Sequence, residues 1–126
     1  MTLAYWCVLI AGVMPLLTIA VAKLQRGYDN NNPRAWLDQQ QGMRRRADYA
    51  HRNHFEAFPF FAAAVIVAQQ LSAPQTSIDT MAAAFIVARV VYTLSYLADR
   101  PNLRSAAFLI GYGLVLGLFF LAAYRT

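Results

Sequence analysis

The chain has 126 residues, 59% of them hydrophobic and only 13% charged. Soluble domains carry about a quarter charged residues, so the composition argues against one, and the length fits a single domain. The net charge is +5, but six of the eleven basic residues lie between Lys23 and Arg46, a regional excess that points to membrane topology or an acidic ligand at one face and not to nucleic acid.

From Thr2 to Ala22 no residue is charged. About 20 residues at 1.5 Å each cover a hydrocarbon core of roughly 30 Å. The run has no basic leader and no small-residue cleavage pattern, so it reads as a retained first span. Cys7, the lone cysteine, excludes an internal disulfide and reads as a small hydrophobe. Pro15 sits mid-span, where lipid tolerates a kink.

Lys23 and Arg26 end the span, and Gly27 to Gln41 reads as a polar loop holding Asp29-Asn30-Asn31-Asn32-Pro33. A second helix of roughly 26 residues is expected from near Arg44-Arg45-Arg46. It turns wholly apolar from Ala57 to Ala68, with its first turns projecting beyond the hydrocarbon. Ser72-Ala73-Pro74 makes a short connection. A third span runs from about Thr76 to Ala98, interrupted chemically by Arg89. Asp99-Arg100-Pro101-Asn102 reads as a tight turn before an uncharged fourth span, Ser105 to Tyr124. Gly113 and Gly117 form a GxxxG pair there, which permits close helix approach.

The expected fold is an all-α membrane protein. It is a four-transmembrane-helix bundle with spans of about 2–22, 46–71, 76–98 and 104–124 in one domain, 1–126. The first and third loops carry Lys23, Arg26, Arg34, Arg44, Arg45, Arg46, Arg100 and Arg104, and the second carries no basic residue. The positive-inside rule therefore puts loops one and three in the cytoplasm and both termini outside, with Arg125 a minor contrary charge. If the chain is bacterial, the membrane is the inner one.

Polar groups within a span are costly and mark function by default. On the second helix, steps of three and four place Arg46, Tyr49, Asn53 and Glu56 on one face, and Arg52 stands four before Glu56, in ion-pair register. On the third, Arg89, Tyr92 and Tyr96 follow the same spacing, with Arg100 and Arg104 just beyond. Glu56 can simply neutralise Arg52 or Arg89, the tyrosines can be interfacial aromatics, and the arginine triplet can be a topology anchor. Of these, Glu56 with Arg89 is the stronger candidate site. His51 and His54 are three apart, not the four of a helical zinc pair, and no metal is expected.

The stretch Ala50-His51-Arg52-Asn53-His54-Phe55-Glu56-Ala57-Phe58-Pro59-Phe60-Phe61 resembles the signature of the MAPEG family, membrane-associated proteins in eicosanoid and glutathione metabolism, in a bacterial-type form. In that family an Asn, a Glu three residues on and a Pro three beyond open the second helix, as Asn53, Glu56 and Pro59 do here. Arg89 and Tyr96 resemble an Arg and a Tyr seven apart in the family's third helix. The resemblance implies a homotrimer in membrane lipid, binding glutathione between protomers as co-substrate for a lipophilic small molecule. Arg52, Asn53 and Glu56 would come from one protomer, and Arg89, Tyr92 and Tyr96 from its neighbour. Arg104 resembles the arginine that stabilises the thiolate, and Lys23 or Arg26 a basic residue ending the first helix.

One position departs from the pattern: where many relatives carry Arg, this chain has Tyr49, with Arg46 one turn earlier as a substitute. The implied activity is glutathione-dependent transfer or peroxide reduction. A non-catalytic relative binding a thiol or lipid is the alternative that Tyr49 favours. A small proton-coupled exporter is a third, weakened by a first span without charge.

Overall fold

The computed structural model describes residues 1–124, which form five helices and no strand. Arg125 lies outside the described residues. Helix α1, Leu3–Lys23, starts at Thr2, whose hydroxyl accepts from the Tyr5 amide at 3.3 Å. Its 21 residues keep Pro15 inside and close on Lys23, a cation at the negative end of the helix dipole.

The first loop is not wholly irregular. A short helix, α2, Pro33–Asp38, forms within the stretch expected to be loop. Pro33 stands at its first turn, where its fixed φ suits a helix start and its missing N–H costs nothing. Leu37 then buries itself against Ile19, Ala22 and Ala47. Six residues are too few for a helical period to register, so that burial decides the conformation.

Helix α3, Gly42–Gln70, is 29 residues long and begins before the arginine triplet, at a glycine with φ 62°. Helix α4, Gln75–Leu97, follows a turn in which Ser72 takes φ 55°. Helix α5, Pro101–Ala123, begins inside the expected tight turn. Pro101 is again the first helical residue, and Asp99, with φ 57°, makes the reversal.

Helix α1 packs on α3 and α4, and α5 on α4 and α3. Helices α3 and α4 meet in the middle, and α1 and α5 do not touch. The interface is alanine-rich, with Ala4, Ala11, Ala64, Ala68 and Ala82 all buried. Small side chains let helix backbones approach where lipid offers no hydrophobic drive to association. At the centre Phe61 stacks on Phe85 with ring centroids 3.9 Å apart. The buried stripe of α5 is Ala107, Gly111, Val115, Leu118 and Ala122. Gly111 lies against Phe85 and Ala88, and Gly117 against Met81, whereas Gly113 faces open space. Within the chain, therefore, only one glycine of the GxxxG pair serves close packing.

The two ends of the bundle differ in chemistry. At one end the carboxylate of Asp79 on α4 accepts from the Ala4 amide at 2.8 Å, satisfying a free donor at the start of α1. Gln75 donates to the same oxygen, Gln75 and Gln69 exchange two hydrogen bonds, and Thr2 donates to Gln69. Three helices are thus tied together without a basic residue. Asp79→Ala is expected to lower stability in detergent by about 1 kcal/mol, the usual cost of losing a helix cap. Asp79→Asn, which keeps an acceptor, should lose less, and equal losses in thermal unfolding would count against a capping role.

The opposite end gathers the basic residues, and α2 packs there against α1 and α3 through Leu37. Between the ends, α1 exposes Leu9, Ile10, Val13, Leu16 and Leu17, and α5 exposes Leu109, Ile110 and Phe120. Helices α1, α4 and α5 are each long and apolar enough to cross a membrane.

Candidate functional site

Helix α3 faces α4 along the stripe that carries its polar residues. Arg46 donates to the Leu97 carbonyl at 3.2 Å, Tyr49 approaches the Tyr96 ring at 6.5 Å, and Asn53 meets Arg89. These pairs climb the antiparallel helices from the basic end toward the interior.

Arg89 is the focus. Only 3% exposed, it directs Nη1 to Asn53 Oδ1 at 2.9 Å. Its Nη2 and Nε reach His54 Nδ1 at 2.9 and 3.3 Å, and its guanidinium lies 4.3 Å from the centre of the Tyr92 ring. Asn53 in turn donates from Nδ2 to Glu56 Oε2 at 3.2 Å. Asn53, Glu56 and Arg89 form the polar end of a cavity of about 220 Å³ between α3, α4 and α5. Phe60, Phe85, Phe108, Tyr112 and Val115 form its apolar walls. A charged and hydrogen-bonding end joined to an aromatic chamber suits an amphiphilic ligand.

Next to it lies a more open hollow lined by Tyr92, Tyr96, Arg104, Ser105, Phe108 and Leu109. The Arg104 guanidinium sits 4.6 Å from the centre of the Tyr96 ring, and the Tyr92 and Tyr96 rings meet edge to face at 5.7 Å. Phe108 lines both spaces, so a ladder Arg89–Tyr92–Tyr96–Arg104 runs from the cavity to the basic end.

Several sequence expectations need correction. Arg52 does not pair with Glu56. It turns back to Asp48 at 2.9 Å and to Asp38 of α2 at 3.1 Å, because α2 brings a second carboxylate to that face. Arg52 therefore ties α2 to α3 and is not brought into the cavity. Glu56 forms no direct ion pair with either arginine: among the described residues every ion pair involves Arg45 or Arg52 with Asp38 or Asp48. Within one chain α3 and α4 bring Arg89 and Asn53 together. Arg46 donates to the Leu97 carbonyl at the end of α4, where a cation is favoured. It is not aimed at the cavity in place of an arginine at position 49.

The two histidines diverge. His51 Nδ1 pairs with the Pro15 carbonyl on α1 at 2.7 Å, and His54 turns to α4. Among the described residues no three His, Cys, Asp or Glu side chains converge as metal ligands. His54, which its spacing offered only as a metal-ligand candidate, is a direct neighbour of Arg89. A signal was there: Ala47, Ala50, His54, Phe61, Ala64 and Ala68 recur on one α3 face, and all are buried. His54 stands in line with core residues.

Long apolar helices, a small-residue interior and a polar site opening at one end define an integral membrane protein of helical-bundle type. The MAPEG family model matches residues 3–124, and the chain belongs to that family, whose members act in eicosanoid and glutathione metabolism. Searches of curated proteins and of solved structures find no match.

Proposed function

We propose that the protein is a glutathione-dependent membrane enzyme that transfers the thiol to a lipophilic electrophile or reduces a lipophilic peroxide. The observation that carries this reading is the grouping of Arg89, Asn53 and Glu56 at the polar end of an aromatic cavity. Glutathione has two carboxylates and one ammonium. A guanidinium complements the first, a carboxylate the second, and an amide the peptide groups between.

The thiol must lose its proton before it attacks. Arg104, on the adjoining hollow with the Tyr96 ring beneath it, is the donor that stabilises the thiolate. In peroxide reduction two glutathione thiols become the disulfide, supplying the two electrons and two protons that turn the peroxide into an alcohol and water. In the transfer reaction sulfur forms a bond to the electrophilic carbon. The electrons of the bond that breaks go to the leaving group or to the oxygen of an opened ring. The electrophile reaches the site from the bilayer.

In this reading α3 is the fourth span, crossing with its apolar half, and three copies assemble as a homotrimer. The basic end is cytoplasmic, where glutathione is found, and both termini lie outside. The alternative, a non-catalytic relative that binds a thiol or lipid, is favoured by Tyr49 and by the engagement of Arg46 with α4. Thermal unfolding in detergent separates the readings, since a ligand of the native state raises stability. Glutathione should raise the midpoint, and conjugation should appear with at least one member of a broad electrophile panel. Glu56→Gln, which breaks no ion pair of the protein, should weaken glutathione binding about tenfold, or ~1.4 kcal/mol. Stabilisation without turnover would support the alternative, and absence of both would refute the enzyme reading.

A further inference from the structure

Buried cations in proteins are normally paired with carboxylates. Arg89 is not: among the described residues it makes no ion pair, although it is 3% exposed. Glu56 shares its cavity and acts on Arg89 only from beyond ion-pair distance, being exposed and accepting from Asn53. The immediate shell of Arg89 is neutral, made of the Asn53 amide oxygen, the His54 ring and the face of Tyr92.

The hydrogen bonds determine the state of His54. A guanidinium has donors and no acceptor, so His54 Nδ1 must accept. The ring proton then sits on Nε2 and is donated to Thr93 Oγ1 at 2.8 Å. Thr93 passes its own hydrogen to the Arg89 carbonyl at 2.8 Å, closing the chain on the residue where it began. Both ring nitrogens are used. His54 thus fixes the arginine without cancelling its charge. A carboxylate at this position would hold Arg89 as firmly and neutralise it.

We infer that His54 is a positioning residue that anchors Arg89 as a neutral acceptor and so reserves the guanidinium charge for an anionic group of a ligand in the α3/α4/α5 cavity. Each of the three guanidinium nitrogens reaches a protein acceptor, which leaves one N–H on each Nη for that anion. The inference deepens the proposed glutathione site and rests on it for one of two probes.

His54→Asn and His54→Asp have nearly the same shape and differ in charge. Their binding is compared with wild type by thermal shift in detergent, using glutathione and octanoate, a carboxylate without thiol or ammonium. His54→Asn should bind both probes within about threefold of wild type, and His54→Asp at least about tenfold more weakly. The unliganded midpoint of His54→Asp should be higher than that of His54→Asn, because its carboxylate pairs with Arg89; a packing role alone would leave the two equal.

Equal binding by the two variants, or equal loss in both, overturns the inference. If glutathione fails to shift wild type while octanoate still separates the variants, the glutathione reading falls and the role of His54 stands. If neither probe shifts wild type, the inference falls as well. Should His54→Asp fail to fold, Arg89→Gln reads the same charge. It must weaken both probes at least about tenfold, and unchanged binding overturns the proposal.

Discussion

Arg89→Leu is expected to reduce glutathione affinity by about a hundredfold while changing the stability of the unliganded protein by less than about 2 kcal/mol. The two effects part because they draw on different interactions. A charge-assisted bond to a carboxylate is worth roughly 1.5–3 kcal/mol, and its loss falls wholly on binding. In the free protein, Leu leaves Asn53 Oδ1 and His54 Nδ1 without their donor, at about 1–3 kcal/mol each. Against that, a buried cation with no direct ion pair is removed, which relieves part of a desolvation penalty of several kcal/mol. Titration of the midpoint with glutathione reads both quantities at once. A large fall in the unliganded midpoint with binding retained would mean that Arg89 is a structural member of the core.

Phe61→Ala should destabilise the protein by about 2–3 kcal/mol, below the 3–5 typical of such a change in a soluble core. Phe61 is fully buried and stacks on Phe85. In lipid or detergent the unfolded helix keeps an apolar environment, so the transfer part of the cost is absent and the lost packing remains. The consequence for the site is more specific. Phe85 is a wall of the cavity, and without its stacking partner it can turn into the vacated space. Weaker glutathione binding should therefore accompany the lower midpoint. Phe61→Leu, which fills much of the volume, should recover part of both. Ligand binding that stays unchanged while the midpoint falls would separate the core from the site.

Much of the helical plan can be read directly from residue types. The uncharged stretches that become α1 and the body of α5 stand out because a span must satisfy its backbone internally and meet lipid with apolar side chains. The motif Asn53, Glu56, Pro59 carries the family. Helix α2 is not legible in this way. Its six residues have no period, and it exists because Leu37 finds a buried place against α1 and α3. The start of α5 was obscured by Pro101, which marks a turn in sequence but a first helical turn in the fold.

The candidate site divides along the same line. Spacing alone placed Arg46, Tyr49, Asn53 and Glu56 on one face and singled out Arg89 as a costly charge within a span. A helical period says which residues share a face, and it says nothing about which partner each will take. That choice belonged to the tertiary structure. Arg52 took Asp48 and Asp38 instead of Glu56, since α2 laid a carboxylate beside it. Arg46 took the end of α4. Arg89 took a neutral histidine from 35 positions away in the chain. Membrane character and family follow from the order of residue types along the chain. Whether a buried charge is cancelled or kept depends on which residues the packing of α3 against α4 brings within hydrogen-bond distance.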